Sequence, residues 1–130
     1  MSKRLPILLL ASCLLSLHSC SEDKHDGPSD AALGYYQALI DKDYAAFVDG
    51  MHGKKDLPAS YRDQFIRLAQ QFADKQLSLH NGVDSISVVC TRVNKQEDMA
   101  NVFLRFCYSD SVKEEVVVPM IKEADVWFMK

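Results

Sequence analysis

The apolar spacing of this chain changes once, at His80-Asn81-Gly82, and that change limits what the chain can fold into. Upstream, Tyr61, Phe65, Leu68 and Phe72 fall at i, i+4, i+7 and i+11, the interval of an amphipathic helix. Downstream, apolar residues alternate: Ile86, Val88 and Cys90, then Val102, Leu104 and Phe106. A period of two places each set on one face of a strand. A run of helix followed by a run of strands makes an α+β domain whose helices cover one face of an antiparallel sheet.

Two shorter helices precede the clear one. Ser29 is placed to cap the first, and Asp30 suits the positive end of its dipole. Leu33, Tyr36, Leu39 and Ile40 supply its apolar side. Asp41-Lys42-Asp43 interrupts the pattern, after which Asp43 can cap a second helix carrying Phe47, Val48 and Met51. Gly50 and Gly53 end it, and Pro58 suits the first turn of the third helix. Tyr61, Phe65, Leu68 and Phe72 then read as that helix's core stripe, since Arg62, Asp63, Arg67, Gln70, Gln71 and Asp74 lie largely off it.

The first two strands form a hairpin around the polar loop Asn94 to Asp98. Pairing Ile86 with Phe106, Val88 with Leu104 and Cys90 with Val102 turns both apolar rows toward the core. Cys90 is then a small buried hydrophobe. Cys107 faces the other way and lies several residues along, so a disulfide between the two would need a bulge or a different register. Lys113 to Ile121 is the third strand, with Pro119 marking an edge or a bulge because it cannot donate to a ladder. Val126-Trp127-Phe128-Met129 is the fourth, completing a four-stranded meander.

The N-terminus has a different logic. Lys3 and Arg4 precede an apolar run from Leu5 to Leu17. Charge followed by a short apolar segment is the layout of a secretory signal peptide, and the run is shorter than the roughly 20 residues a transmembrane helix needs. Leu17-His18-Ser19-Cys20 resembles the lipobox of bacterial lipoproteins. A rival, Leu10-Ala11-Ser12-Cys13, would leave only Leu5 to Leu10 as the apolar region. The resemblance implies cleavage after residue 19 and acyl chains, palmitate among them, on Cys20, which give stable membrane anchoring where a single chain would be marginal. Residues 20–28 read as the lipidated cysteine and a polar, acidic tether, and residues 29–130 as the domain. Ser21-Glu22-Asp23 resembles the acidic surface-export signal of some Gram-negative outer-membrane lipoproteins, which implies the cell surface; a periplasm-facing anchor is the alternative. The formal charge of −3 becomes more negative once Lys3 and Arg4 leave, and an acidic chain without basic clusters is a poor nucleic-acid binder.

Leu33, Tyr36, Ala38, Leu39, Asp43, Tyr44 and Ala45-Ala46-Phe47, with the closing strand around Trp127, resemble the nuclear-transport-factor-two-like, or cystatin-like, superfamily. Within it the pattern is similar to short lumazine-binding-like lipoproteins of unknown function. The resemblance implies a curved sheet wrapped around a long helix as a cone with a pocket, and carries over no catalytic residue.

The motif search is negative for chemistry. The chain has no two-histidine helix motif, paired-cysteine metal spacing, glycine-rich phosphate loop or serine elbow, and no cofactor or metal is implied. His52 and His80 lie in or beside loops. Arg92 shares the parity of the core row, whereas Arg105 points to the opposite face. A pocket, if formed, would draw on Tyr36, Tyr61, Phe65 and Arg105. The expected function is a non-enzymatic, lipid-anchored envelope protein that binds a protein or small molecule. Two alternatives stand beside it: a small cone enzyme or binder of an apolar ligand, and an immunity- or inhibitor-type protein partner. A homodimer through the sheet fits any of these.

Overall fold

The computed structural model describes residues 27–130. The expected signal peptide, Cys20 and the tether as far as residue 26 lie outside the described residues. Three helices, α1 (Pro28–Ile40), α2 (Tyr44–Asp49) and α3 (Ala59–His80), precede four strands, β1 (Val83–Asn94), β2 (Met99–Tyr108), β3 (Lys113–Glu123) and β4 (Val126–Met129). The strands form one antiparallel sheet in the order β1-β2-β3-β4. The α+β order and the meander are those expected.

The helix ends follow local chemistry. Pro28 opens α1 after Gly27, so Ser29 is not the cap; it is buried in the first turn. Proline fits there because its missing N–H has no helical partner to lose. Asp43 caps α2 as expected, accepting from the Ala46 N–H at 3.2 Å. Pro58 is the N-cap of α3 rather than a residue of its first turn, so the helix begins one residue later than expected. Asn81 ends α3 in the left-handed conformation at φ 59°, and the Gly82 N–H bonds back to the Leu77 carbonyl at 2.9 Å. This junction is where the spacing changes period.

The hairpin keeps the expected register over Ile86–Phe106 and Val88–Leu104 and then departs from it. A bulge between Val88 and Cys90 sets Cys90 opposite Phe103 and moves Thr91 opposite Val102. One extra residue inverts the side-chain parity beyond it. Thr91 therefore takes the buried position expected of Cys90, while Cys90 is only half-buried, on the outer face. Arg92 is likewise turned outward, with its guanidinium 5.3 Å from the Phe103 ring centroid. Cys107, opposite Ser85 and Lys113, shares that outer face, contrary to the expected opposition of the two cysteines. They are not joined to each other: Cys90 is disulfide-bonded and Cys107 is a free thiol.

Pro119 sits inside β3, opposite Asn101, and its carbonyl accepts from the Lys130 N–H at 2.9 Å. Its missing donor faces the β4 side, where the β4 ladder has already ended at Met120–Met129. The position is a local edge, which is why proline is accommodated.

The core lies between α1, α2 and the inner sheet face, with Ala32, Val48, Val102, Leu104 and Met120 fully enclosed. Tyr36 sits edge-on to both Phe47 (5.3 Å) and Phe106 (5.7 Å). The Tyr35 hydroxyl donates to the Trp127 carbonyl at 2.6 Å and ties α1 to β4.

Helix α3 is oriented differently from expectation. Its buried residues are Ala69 and Ala73. Tyr61, Leu68 and Phe72 are 56%, 58% and 57% exposed, and only Phe65 of the expected stripe packs against the core. The helix packs on α2 and α1 rather than on the sheet. Small side chains let helix backbones approach closely, and with α1 already covering the sheet the larger ones are left outside.

Candidate functional site

Because α3 stands off the sheet, a cleft opens between its C-terminal half, α1 and the Tyr108 end of the strands. Its volume is about 80 Å³. Phe72, Leu77, Phe106 and Val116 make mostly apolar walls, and the polar groups are Gln76, Glu114 and the phenols of Tyr36 and Tyr108. The cleft is well below the roughly 300–1,000 Å³ of drug-sized ligand sites, so it suits a small molecule or one end of a longer one.

Local sequence places the polar groups. Phe106 and Tyr108 share the inner face of β2 by the period of two, and Glu114 and Val116 share it on β3. The Tyr108 hydroxyl donates to Glu114 Oε1 at 3.1 Å. Burial, reinforced by Glu114 and then by Asp110, pushes the Tyr108 phenol up to about 12. His80, in the last turn of α3, stacks on the Tyr108 ring at 4.0 Å and 19°. Its Nδ1 lies 2.8 Å from Asp110 Oδ2. That bond holds the Asp110 carboxyl below its ordinary value, and the aspartate is set in the β2–β3 turn by the Val112 N–H at 3.0 Å. Three elements thus meet at Tyr108.

Of the residues proposed from sequence, Tyr36 lines the cleft, and burial raises its phenol. Tyr61 does not reach it. Phe65 packs at the core edge with Lys54 Nζ 4.6 Å from its ring centroid. Arg105 is on the outer face, bonded to Glu115 Oε1 at 2.6 Å, and contributes no charge to the cleft. His52 contacts Glu123 beside β4, away from His80. Cys20 lies outside the described residues. Sequence reasoning missed Tyr108 and Glu114. Strand parity was the available signal: Tyr108 extends the row Val102, Leu104, Phe106 by one step.

A wider depression of about 360 Å³ lies at the opposite end of the strands, lined by Arg92, Asn94, Asn101 and Lys130 among others. Among the described residues no group of three or more His, Cys, Asp or Glu is placed to hold a metal, and no helix is long and apolar enough to cross a membrane.

No family model and no curated protein matches the sequence. The fold is nevertheless recognisable: three helices followed by a four-stranded antiparallel meander match the nuclear-transport-factor-two-like (NTF2-like) cone fold. A 2.00 Å crystal structure of a Campylobacter jejuni protein, named provisionally as an NTF2-like transpeptidase, superposes with a TM-score of 0.64 at 15% identity. The match covers 79% of this chain and 96% of that one. At this identity the likeness is one of fold, and function has to be argued from the site.

Proposed function

We propose that this protein is a lipid-anchored binding module of the cell envelope, holding a small, largely apolar ligand in the cleft below Tyr108. The observation that carries the reading is an apolar cleft whose lining includes the hydrogen-bonded Tyr108–Glu114 pair. Apolar walls with a few convergent polar groups are the usual form of a small-molecule site. Among the described residues Glu114 is the only charged residue of the lining, so a neutral or cationic head group fits better than an anion.

Binding fits the chemistry better than catalysis. A phenol raised to about 12 stays protonated at neutral pH, so Tyr108 donates a hydrogen bond and does not abstract a proton. The transpeptidase name of the fold neighbour calls for an acyl-transfer nucleophile, and among the described residues the cleft lining contains no serine, threonine or cysteine. The anchor rests on the leader and Leu17-His18-Ser19-Cys20, and outer-membrane surface placement on Ser21-Glu22-Asp23.

The test is native mass spectrometry of the mature protein purified from its own source. A retained small molecule that is lost in Glu114→Gln supports the reading. A bare monomer, or a ligand retained equally by Glu114→Gln, counts against it.

A further inference from the structure

Among the described residues, four of the exposed large hydrophobic side chains lie on the face that α3 presents to solvent. Tyr61, Leu68, Phe72 and Leu79 are each more than half exposed, Leu79 most of all at 64%. They fall at i, i+7, i+11 and i+18, which on a helix of 100° per residue is a single line within about 20° of its mean. The line runs about 27 Å along a 22-residue helix at 1.5 Å per residue. A contiguous apolar strip of this kind on a small domain marks a contact surface.

The flanks narrow the choice of occupant. Lys75 borders the strip on one side, followed by the uncharged Gln64 and Gln71. On the other side is Phe65, with Lys54 over its ring. The two acidic residues of the helix, Asp63 and Asp74, lie on the far side, Asp74 beside Tyr44 of α2. The helix thus keeps its own carboxylates off this strip, which Lys75 and Lys54 flank. Among the described residues the strip meets a carboxylate only at the cleft, where Glu114 lines the same wall as Phe72. Lysine stems can lie along apolar surface while their heads reach phosphates. The path from Cys20 to Pro28 spans less than about 30 Å even when fully extended at 3.3–3.6 Å per residue. A domain tethered this closely stays at the bilayer surface, where the effective concentration of lipid far exceeds that of any partner in solution.

We infer that α3 is a membrane-docking helix, laying Tyr61, Leu68, Phe72 and Leu79 into the headgroup–acyl boundary of the bilayer that holds Cys20. The inference rests on the lipid-anchor reading and adds the face on which the domain lies. Phe72 belongs to both the strip and the cleft lining, so docking places the cleft beside the lipid surface.

The test uses full-length protein, processed in cells fed radiolabelled palmitate and reconstituted into vesicles of phosphatidylethanolamine and phosphatidylglycerol at a 3:1 ratio. The photoreactive residue p-benzoylphenylalanine replaces Phe72, Tyr61 or, on the far side of α3, Gln70. All three positions are exposed, so folding tolerates the change. Lipid adducts at 72 and 61, with at least tenfold less at 70, are expected. Palmitate-labelled protein without lipid adducts at 72 and 61 overturns docking and leaves the anchor standing. Cross-links from 72 to a second copy or to another protein also overturn it. Absence of palmitate label is read separately: it refutes the anchor, and docking, which rests on it, falls too.

Discussion

Tyr108 on β2 donates its hydroxyl to Glu114 on β3 across 3.1 Å, although the ladder pairs Glu114 with Phe106. The bond is a diagonal one, reaching two residues along the neighbouring strand, where long side chains still meet. It sets one donor and one carboxylate together in the cleft lining.

Ultraviolet titration checks that geometry. Tyr108 is expected to ionise near 12, against an ordinary value of 10.0. Because burial is the larger cause, Glu114→Gln should lower the midpoint only in part. Assigning the transition needs Tyr108→Phe, which removes it. A midpoint near 10 for this tyrosine would contradict the buried, bonded phenol.

Gly50 is a position of close approach. A Cβ there would lie 2.4 Å from the Tyr35 ring, whose hydroxyl holds the Trp127 carbonyl. Gly50→Ala must displace the ring and strain that link, and overpacking of this kind costs about 1–3 kcal/mol. Urea unfolding measures it, and Tyr35→Phe/Gly50→Ala against each single change shows whether the two effects share a cause.

Two leucines test the orientation of α3. Leu104 is fully buried, and Leu104→Ala should cost about 2–5 kcal/mol. Leu68, in the strip expected from sequence to face the core, is 58% exposed, and Leu68→Ala in detergent-free soluble protein should change stability by about 0.5 kcal/mol or less. Similar losses at both sites would restore the inward-facing stripe.

Stability should fall in acid through Asp49. Arg62 donates to both of its carboxylate oxygens at 2.8 Å, and this holds the carboxyl below its ordinary 3.8. A depressed carboxyl contributes stability that is complete above the unfolded value and is lost as pH falls through the folded one. Urea midpoints measured from pH 6 down to pH 2 should therefore drop below about pH 4 more steeply in the parent than in Asp49→Asn. Equal profiles would show that the pair is inert.

The sequence alone determined the order of elements, because the change of apolar period at Asn81-Gly82 is local and leaves helix before it and strand after it. It also determined the Asp43 cap and the Ile86–Phe106 and Val88–Leu104 pairs, each set by short-range chemistry or strand parity. Tertiary structure decided the rest. Periodicity shows that α3 has an apolar stripe but not which neighbour it meets, and close packing against α1 and α2 selected the Ala69–Ala73 side instead. The extra residue in β1 is a property of two strands together, so the exchange of Cys90 for Thr91 and the outward turn of Arg92 were not legible in one strand's alternation. The meeting of His80, Tyr108, Asp110 and Glu114 needed the end of a helix and the ends of two strands to converge, and no spacing along a chain records a distance through space.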